Sequence, residues 1–191
     1  MPSFDIVREI TARDTFRVQS VVGAFDLQTQ KISEHFSGNI DIEEREWNIG
    51  LIVGSSGSGK STIARECFPD SFIDGFEYNA DSVIDDMPKG KTQKEITKAF
   101  TSVGFASPPS WLKPYRVLSN GEKMRCDLAR SILEENQVAC FDEFTSVVNR
   151  EVAKTGSYAI SKAVRKMKKK FIAVSCHYDI KEWLEPDWIF D

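Results

Sequence analysis

A stretch rich in glycine and serine has the composition and spacing of a phosphate-binding loop. It reads Gly-Ser-Ser-Gly-Ser-Gly-Lys-Ser and matches the pattern G-x-x-x-x-G-K-[ST]. Its glycines let the backbone wrap closely around a phosphate, with N–H groups pointing at the oxygens. The lysine reaches the β- and γ-phosphates of a nucleotide, and the last hydroxyl binds Mg²⁺. A simple glycine-rich turn is the alternative. The predicted nucleotide contacts are Gly54, Ser55, Ser56, Gly57, Ser58, Gly59, Lys60, Ser61 and Thr62.

Two adjacent acids, Asp142 and Glu143, follow a short apolar run over residues 138–141. In a phosphate-loop fold, the first acid holds Mg²⁺ through water and the second orients or deprotonates the attacking water. We therefore predict that Asp142 and Ser61 contact the metal and that Glu143 is catalytic. This interpretation places the acidic strand directly beside the strand of the phosphate loop. A strand that ends in a solvated acidic turn is the alternative.

A third motif, Leu-Ser-Asn-Gly-Glu, precedes an amphipathic helical pattern. Its serine and glutamate have the spacing of a capping box, which begins helices. The free N–H groups at such a helix start can also cradle an anion. A well-capped helix without any ligand is the alternative. The anion-facing residues of this motif would be Ser119, Asn120, Gly121 and Glu122.

Buried strands and amphipathic helices alternate around these motifs, which is typical of an α/β fold with a mainly parallel sheet. Continuous apolar runs predict strands over 49–53, 138–141, 171–174 and 188–190. Helical spacing predicts helices over 92–103, 119–134 and 151–169, with a loop over 106–115. Residues 1–48 alternate loosely, including Phe16, Val18, Val21 and Val22, and predict an antiparallel β layer.

Length and composition limit the class of protein. The 191 residues are 41% hydrophobic and 28% charged, which suits one folded domain and excludes disorder or a disulfide scaffold. The four cysteines are scattered and indicate a reducing, cytoplasmic location. The apolar runs are too short to cross a membrane, and the N-terminus has no secretion-signal pattern. A net charge of −4 argues against general polyanion binding.

Together, the motifs resemble those of ABC-type ATPases, the ATP-binding cassettes. The third motif is similar to the family signature L-S-G-G-Q, residues 145–149 occupy the place of its D-loop, and His177 matches its switch histidine. The resemblance covers residues 16–191. It implies one P-loop NTPase domain over 1–191, with a core over 49–191, that hydrolyses ATP with Mg²⁺. Lys60, Glu143 and His177 would be catalytic, and two copies would sandwich ATP, each signature closing the other's site.

Two departures from the family pattern refine this expectation. Lys60 and Ser119 are only 59 positions apart, counted from residue 60 to residue 119, so the helical subdomain over 82–135 is reduced and a non-transporter role is favoured. No glutamine stands in the Q-loop place, where Asp86 would contact the metal or be a plain loop acid. Phe25 is the predicted adenine-stacking residue, with Phe36 or simple core packing as alternatives.

The motif sequences are similar to those of a compact branch of these ATPases, which is found alone or fused to a predicted acetyltransferase domain in phage and mobile elements. This implies an acetyltransferase-like protein or DNA as partner, and no membrane. The basic run over 165–170 indicates a solvated helix end or a weak nucleic-acid contact. A transporter's nucleotide-binding subunit and a small-molecule kinase remain the alternative functions.

Overall fold

The computed structural model describes residues 2–10, 15–26, 32–42 and 46–191. The chain forms two compact units, Met1–Asp41 and Ile42–Asp191.

The N-terminal unit pairs two antiparallel strands, β1 (Ser3–Ile10) and β2 (Ile32–Asn39). Helix α1 (Phe16–Phe25) lies between them in sequence, so the expectation of strand structure over residues 16–22 was wrong. Val18, Val21, Val22 and Phe25 follow a spacing of i, i+3, i+4 and i+7, which is helical. The Thr15 side chain caps the helix by accepting a hydrogen bond from the Val18 N–H at 3.3 Å. The helical period therefore accounts for the valines that were read as alternating.

The second unit is built on a parallel five-stranded sheet in the order β4-β5-β6-β3-β7. Strand β3 is buried along its whole length, as are residues 171–175 of β6, because helices cover both faces of such a sheet. The mixed α/β fold with its parallel sheet is therefore confirmed. The strands are β3 (Ile49–Val53), β4 (Phe72–Ile73), β5 (Val138–Phe141), β6 (Lys170–Ser175) and β7 (Trp188–Phe190).

The helices of this unit begin close to the predicted positions because their capping residues are visible in the sequence. Thr92 and Ser119 form complete capping boxes with Glu95 and Glu122 at the starts of α3 and α5. The predicted loop over 106–115 contains a one-turn helix. The helices are α2 (Lys60–Cys67), α3 (Gln93–Ser102), α4 (Pro108–Trp111), α5 (Asn120–Leu133), α6 (Arg150–Met167) and α7 (Ile180–Leu184).

The strand order corrects one expectation about the site. Strand β5, which ends at the two acids, does not lie beside β3; strand β6 pairs with both and separates them. Helix α6 crosses over from β5 and returns the chain as β6 between the two. The carboxyl ends of all three strands still meet at one edge of the sheet, because the strands are parallel.

Strand β3 also makes an unusually close contact with an aromatic ring. A Cβ atom built on Gly50 would lie 2.1 Å from Cζ2 of Trp188, which is on the neighbouring strand β7. The indole packs edge-on to Trp47 at 5.5 Å and is stacked on Phe68 at 6.5 Å between ring centroids. Gly50 therefore gives the ring its place against the sheet.

No helix in the described part of the chain is long and apolar enough to cross a membrane.

Candidate nucleotide site

The glycine-rich loop leaves the carboxyl end of β3 and leads directly into α2. Gly57 and Gly59 have φ angles of 81° and 92°, a left-handed conformation that side chains with a Cβ disfavour. Gly54 is buried, whereas the next four residues are exposed. The Ser58 N–H donates to the Ser55 carbonyl at 3.3 Å. The loop therefore has a compact fold and presents its backbone to solvent at the start of a helix.

Helix α2 begins without help from a side chain. Its N-cap is Gly59, and no side-chain capping hydrogen bond forms there. The N–H groups of a helix's first turn have no acceptor within the helix, and a phosphate is a suitable one. The Lys60 ammonium folds back and donates to the Ser55 carbonyl at 2.6 Å. The positive charge is thus held over the same loop.

The hydroxyl of Ser61 and the carboxylate of Asp142 meet at the edge of the sheet. Ser61 Oγ donates to Asp142 Oδ1 at 2.9 Å, although the two residues lie 81 positions apart in sequence. The Asp142 N–H donates to the Ile73 carbonyl at 2.8 Å, which fixes the turn after β5. Ser61 is on α2, which follows β3, and Asp142 follows β5, so two predicted metal contacts that come after non-adjacent strands are brought together.

The oxygen donors at this point suit Mg²⁺. Mg²⁺ typically takes one or two protein oxygens and completes its shell with water and phosphate oxygens. A hydroxyl and a carboxylate in direct contact fit that pattern. No group of three or more His, Cys, Asp or Glu side chains suited to a metal occurs among the described residues, and a magnesium ion held with a nucleotide does not need one.

The turn after β5 is fixed by a buried phenylalanine. Phe144 is fully buried, its N–H donates to the Val174 carbonyl at 2.9 Å, and its own carbonyl accepts from Ser175 Oγ at 2.8 Å. Glu143, just before it, has a φ angle of 49° and is exposed. A left-handed conformation in a residue other than glycine costs free energy and is maintained only by its surroundings. Phe144 provides that restraint and leaves the Glu143 carboxylate in solvent.

His177 lies beside the same turn. Its Nδ1 is 3.3 Å from Thr145 Oγ1, and its N–H donates to Ser175 Oγ at 3.1 Å. Thr145 is buried and has a φ angle of 69°. Ser175 Oγ therefore links the histidine backbone to the turn that carries Glu143. The predicted catalytic acid and histidine belong to one hydrogen-bonded assembly.

The third motif begins helix α5 and is held mainly by Glu122. The Glu122 carboxylate accepts from the Ser119 N–H at 2.9 Å, from Ser119 Oγ at 2.8 Å and from Ser110 Oγ at 2.6 Å. These donors, Ser110 first, lower the pKa of Glu122 below its ordinary value. Asn120 Nδ2 donates to the Val147 carbonyl at 3.4 Å. The third motif therefore contacts the 145–149 segment of its own chain.

A polar cluster that the sequence analysis did not predict supports α5 one turn further along. Asp127 accepts hydrogen bonds from Tyr78 at 2.8 Å and from Tyr115 at 2.7 Å. The two tyrosine rings stack with centroids 4.0 Å apart, and Arg130 lies over Tyr78 at 5.0 Å. Burial raises the pKa of Asp127 to about 6, although both tyrosines oppose that effect. The cluster ties the loops on either side of α3 to the signature helix.

Asp86 is engaged within its own loop. Its carboxylate accepts from the N–H groups of Asn79 and Ala80 at 3.0 Å. These contacts are those of an acid that shapes a loop, the alternative considered for it above. A metal contact by Asp86 stays a prediction.

The predicted adenine-stacking residues lie in the N-terminal unit. Phe25 is 72% exposed and is the last residue of α1. Phe36 is half-buried on β2, opposite Ile6. Adenine stacking by either residue stays a prediction.

The basic run over 165–170 does not form one continuous cationic surface. Arg165 is paired with Asp187 at 2.9 Å, and Lys170 lies over the Trp47 ring at 4.7 Å. The Lys169 ammonium donates to the Glu134 carbonyl. Half of the run is thus used within the chain, which leaves fewer charges for a nucleic acid.

Comparison with known proteins gives a fold and no sequence family. A scan against family models found no match, and a search of curated proteins found none either. Solved structures do match. The ATP-binding cassette MJ0796, in a post-hydrolysis dimer bound to ADP and Pi, superposes with a TM-score of 0.64 at 11% identity over 95% of this chain and 90% of its own.

Two further structures agree. A bacterial Atm1-family ABC exporter with ATP bound gives a TM-score of 0.59 at 16% identity over 84% of this chain. The chain spans only 34% of that exporter. The cassette cbiO1 from Clostridium perfringens, part of the ABC transporter complex cbiONQ, gives 0.56 at 18% identity over 70% of this chain and 68% of its own.

This chain has the fold of an ABC ATP-binding cassette. At 11–18% identity the likeness concerns the backbone, so the cassette's activity has to be inferred from its own residues. The glycine-rich loop, the acid pair and His177 all lie at the carboxyl edge of the sheet.

Proposed function

We propose that the cassette binds Mg·ATP and hydrolyses it to ADP and phosphate. The observation that carries this proposal is the hydrogen bond of 2.9 Å between Ser61 and Asp142. It joins the phosphate loop to the acid pair across an intervening strand, so that residues recognised separately in sequence share one site.

Each group has a distinct part in this proposal. The uncapped start of α2 and the loop N–H groups bind the phosphates, and Lys60 supplies positive charge to the β- and γ-phosphates. Ser61 and Asp142 hold Mg²⁺, which neutralises developing charge on the phosphate oxygens. Glu143, free in solvent, takes a proton from the attacking water. His177, oriented through Ser175 and Thr145, donates to the γ-phosphate.

We further propose that two copies close on two nucleotides. The start of α5, with Ser119, Asn120 and Gly121, would face the γ-phosphate bound by the other copy. Closure of this kind excludes water and completes the charge-stabilising shell. Two MJ0796 cassette structures are dimers, which supports the arrangement.

The output of hydrolysis is proposed to be motion passed to a partner, with an acetyltransferase-like protein or DNA as candidates and no transporter. The short segment between Lys60 and Ser119 supports this, because after α2 its one helix longer than a single turn is α3; it otherwise holds the two-residue β4, the one-turn α4 and two 3-10 turns. The matching cassettes that belong to transporters keep the other possibility open. Recovery of the chain with a membrane protein, after detergent extraction of cells that express it, would overturn the non-transporter role.

The direct test of nucleotide binding is Lys60→Ala. The variant should lose tight ATP binding in a titration with Mg²⁺, because the phosphates lose their charge partner. Lys154→Ala, an exposed position on α6, is the matched control and should bind normally. Equal affinity in Lys60→Ala and the wild type would exclude the phosphate-loop assignment.

A further inference from the structure

A cleft lined by lysines lies between α3, α5 and α6, with a cavity volume of about 940 Å³. Its rim carries lysine side chains from α3, from the residue just before the α3 cap, from α6 and from the segment between α6 and β6. Glu95 is the one acid among the described lining residues, and its carboxylate accepts hydrogen bonds from Thr92. The rim lysines are Lys91, Lys94, Lys98, Lys166 and Lys169.

The floor of the cleft is apolar. It is formed by Trp111 and Met167 together with small and branched residues of the three helices, namely Ala99, Ile132, Leu133 and Ala163. Met167 is 43% exposed, and methionine adapts its shape to different apolar surfaces. Apolar surface framed by charge is typical of a binding site.

The lysines are placed in rows by helical geometry. Lys94 and Lys98 stand one turn apart on α3, so they project on the same side. Ala163 and Met167 are spaced in the same way on α6, with Lys166 beside them. The two facing helices therefore combine an apolar floor with cationic edges.

The cleft is remote from the nucleotide edge. Met167 and Lys169 immediately precede β6, and Leu133 lies shortly before β5, so this end of the cleft is at the amino ends of the strands. The phosphate loop follows the carboxyl end of β3. A ligand in the cleft would therefore leave the phosphate loop uncovered.

We propose that this cleft docks an acidic amphipathic helix of a partner protein. The apolar face of such a helix would cover the floor, and its flanking carboxylates would meet the lysine rows. Duplex DNA offers phosphates but no apolar face to cover the floor. A fatty acid offers an apolar chain but only one carboxylate for Lys91, Lys94, Lys98 and Lys166, the rim lysines other than Lys169, whose ammonium donates to the Glu134 carbonyl. The proposal is independent of ATP hydrolysis.

The test uses a fluorescent model peptide in which leucines form one face and glutamates flank it, about 18 residues or roughly five turns long. Anisotropy titration of the full chain should give saturable, salt-weakened binding. The same residues in scrambled order, and the same helix with lysine in place of glutamate, should bind far more weakly. Oleate and a DNA duplex are added as competitors and should not displace the peptide.

Charge-reversal variants test where on the protein the peptide binds. Lys94→Glu combined with Lys98→Glu should weaken binding about tenfold or more, because both side chains are exposed on the rim. Met167→Ser should also weaken peptide binding, because it removes an apolar side chain from the floor of the cleft. Lys154→Glu, on α6 outside the cleft, is the control and should bind normally. All three variants should keep their ATPase activity and their unfolding midpoint.

Several results would overturn the docking site. They are no binding of the acidic helix, equal binding of the scrambled peptide, and binding unchanged by the double charge reversal. Displacement by oleate would identify a lipid-type ligand instead, and displacement by DNA would identify a nucleic-acid surface. Unchanged ATP affinity in Lys60→Ala, with intact peptide binding, would reject the proposed phosphate-loop function while leaving the cleft assignment standing.

Discussion

Two helices of the core begin at motifs that face phosphate in the proposed site, and they begin in opposite ways. Helix α2 starts at Gly59 with no side-chain cap, whereas α5 starts at Ser119 inside a complete capping box. The first has no capping side chain, which leaves the cap position open to a ligand. The second uses part of its donors within the chain and is stable before any ligand arrives. The start of α2 is therefore suited to binding a ligand, whereas the start of α5 is stabilised by its own side chains.

The largest effect is expected on the α2 side, where the chemistry is proposed to occur. Glu143→Gln should keep ATP binding and slow hydrolysis by about 10²–10⁴, because an amide cannot take the proton. ATP-bound dimers should then accumulate, as measured by sedimentation with and without ATP. Glu151→Gln, an exposed acid in the first turn of α6, should behave as wild type. Full hydrolysis by Glu143→Gln would remove Glu143 from the mechanism.

Mixing two inactive variants tests whether the two helix starts belong to one composite site. Lys60→Ala damages the phosphate loop, and Ser119→Arg puts bulk and charge at the start of α5. A mixed dimer would hold one site with both changes and one intact site. Random equimolar mixing should restore roughly a quarter of wild-type ATPase activity when the sites act independently.

Controls for this mixture are the unmixed variants and a fluorescence assay of subunit exchange. Exchange without any gain in activity would contradict independent shared sites. Full activity of Ser119→Arg alone would show that the start of α5 does not approach the phosphate, and the small-molecule kinase alternative would then be favoured.

The α5 side should show a pH dependence that comes from Asp127. Its folded pKa of about 6 lies above the ordinary 3.8, so the folded state holds the proton more tightly than the unfolded state. The free energy of unfolding from this group is therefore highest below pH 4 and falls as the pH rises to about 6, by at most about 3 kcal/mol.

Denaturant unfolding at several pH values measures this change. Asp127→Asn should flatten the slope between pH 4 and pH 6, because the group no longer titrates, whereas Asp70→Asn at an exposed position should not. An unchanged slope in Asp127→Asn would mean that another group governs it.

The smallest effect concerns the capping box itself. Glu122→Ala should lower the free energy of unfolding by about 1–2 kcal/mol, since it leaves the Ser119 N–H and the Ser110 hydroxyl without their acceptor. Glu122→Gln should cost less because its amide oxygen still accepts. Glu95→Ala in the other box is the matched comparison and should cost less than Glu122→Ala, because the Glu95 carboxylate accepts its hydrogen bonds from the single residue Thr92. Equal losses would show that Ser110 adds nothing.

The sequence predicted best the features that depend on neighbours in the chain. Capping boxes at Thr92 and Ser119, the buried run of β3 and the glycine-rich loop are local patterns, and the structure has the corresponding elements at those positions. The helical spacing of the valines in α1 was also visible in the sequence, but it was interpreted as the loose alternation of a strand. The short strand β4 was not predicted, because two residues carry no period.

Features that depend on tertiary contacts could not be predicted in this way. Strand β6 lies between β3 and β5 because of a crossover connection. The sequence around Asp142 has no pattern that predicts this strand order. Asp127 meets Tyr78 and Tyr115 only because two loops converge on α5. The lysine cleft likewise combines residues separated by more than sixty positions, from Lys91 to Lys169.

The contact between Gly50 and Trp188 determines how a saturation mutagenesis map of this chain should look. Glycines of the phosphate loop would be intolerant because of φ angles and ligand approach. Gly50 has neither requirement, yet even alanine would place its methyl group 2.1 Å from an indole carbon. Position 50 should therefore score as severely as position 59 in a selection for folded protein. Pairing Gly50→Ala with a smaller residue at position 188 should recover part of the loss, which no change at position 188 would do for Gly59.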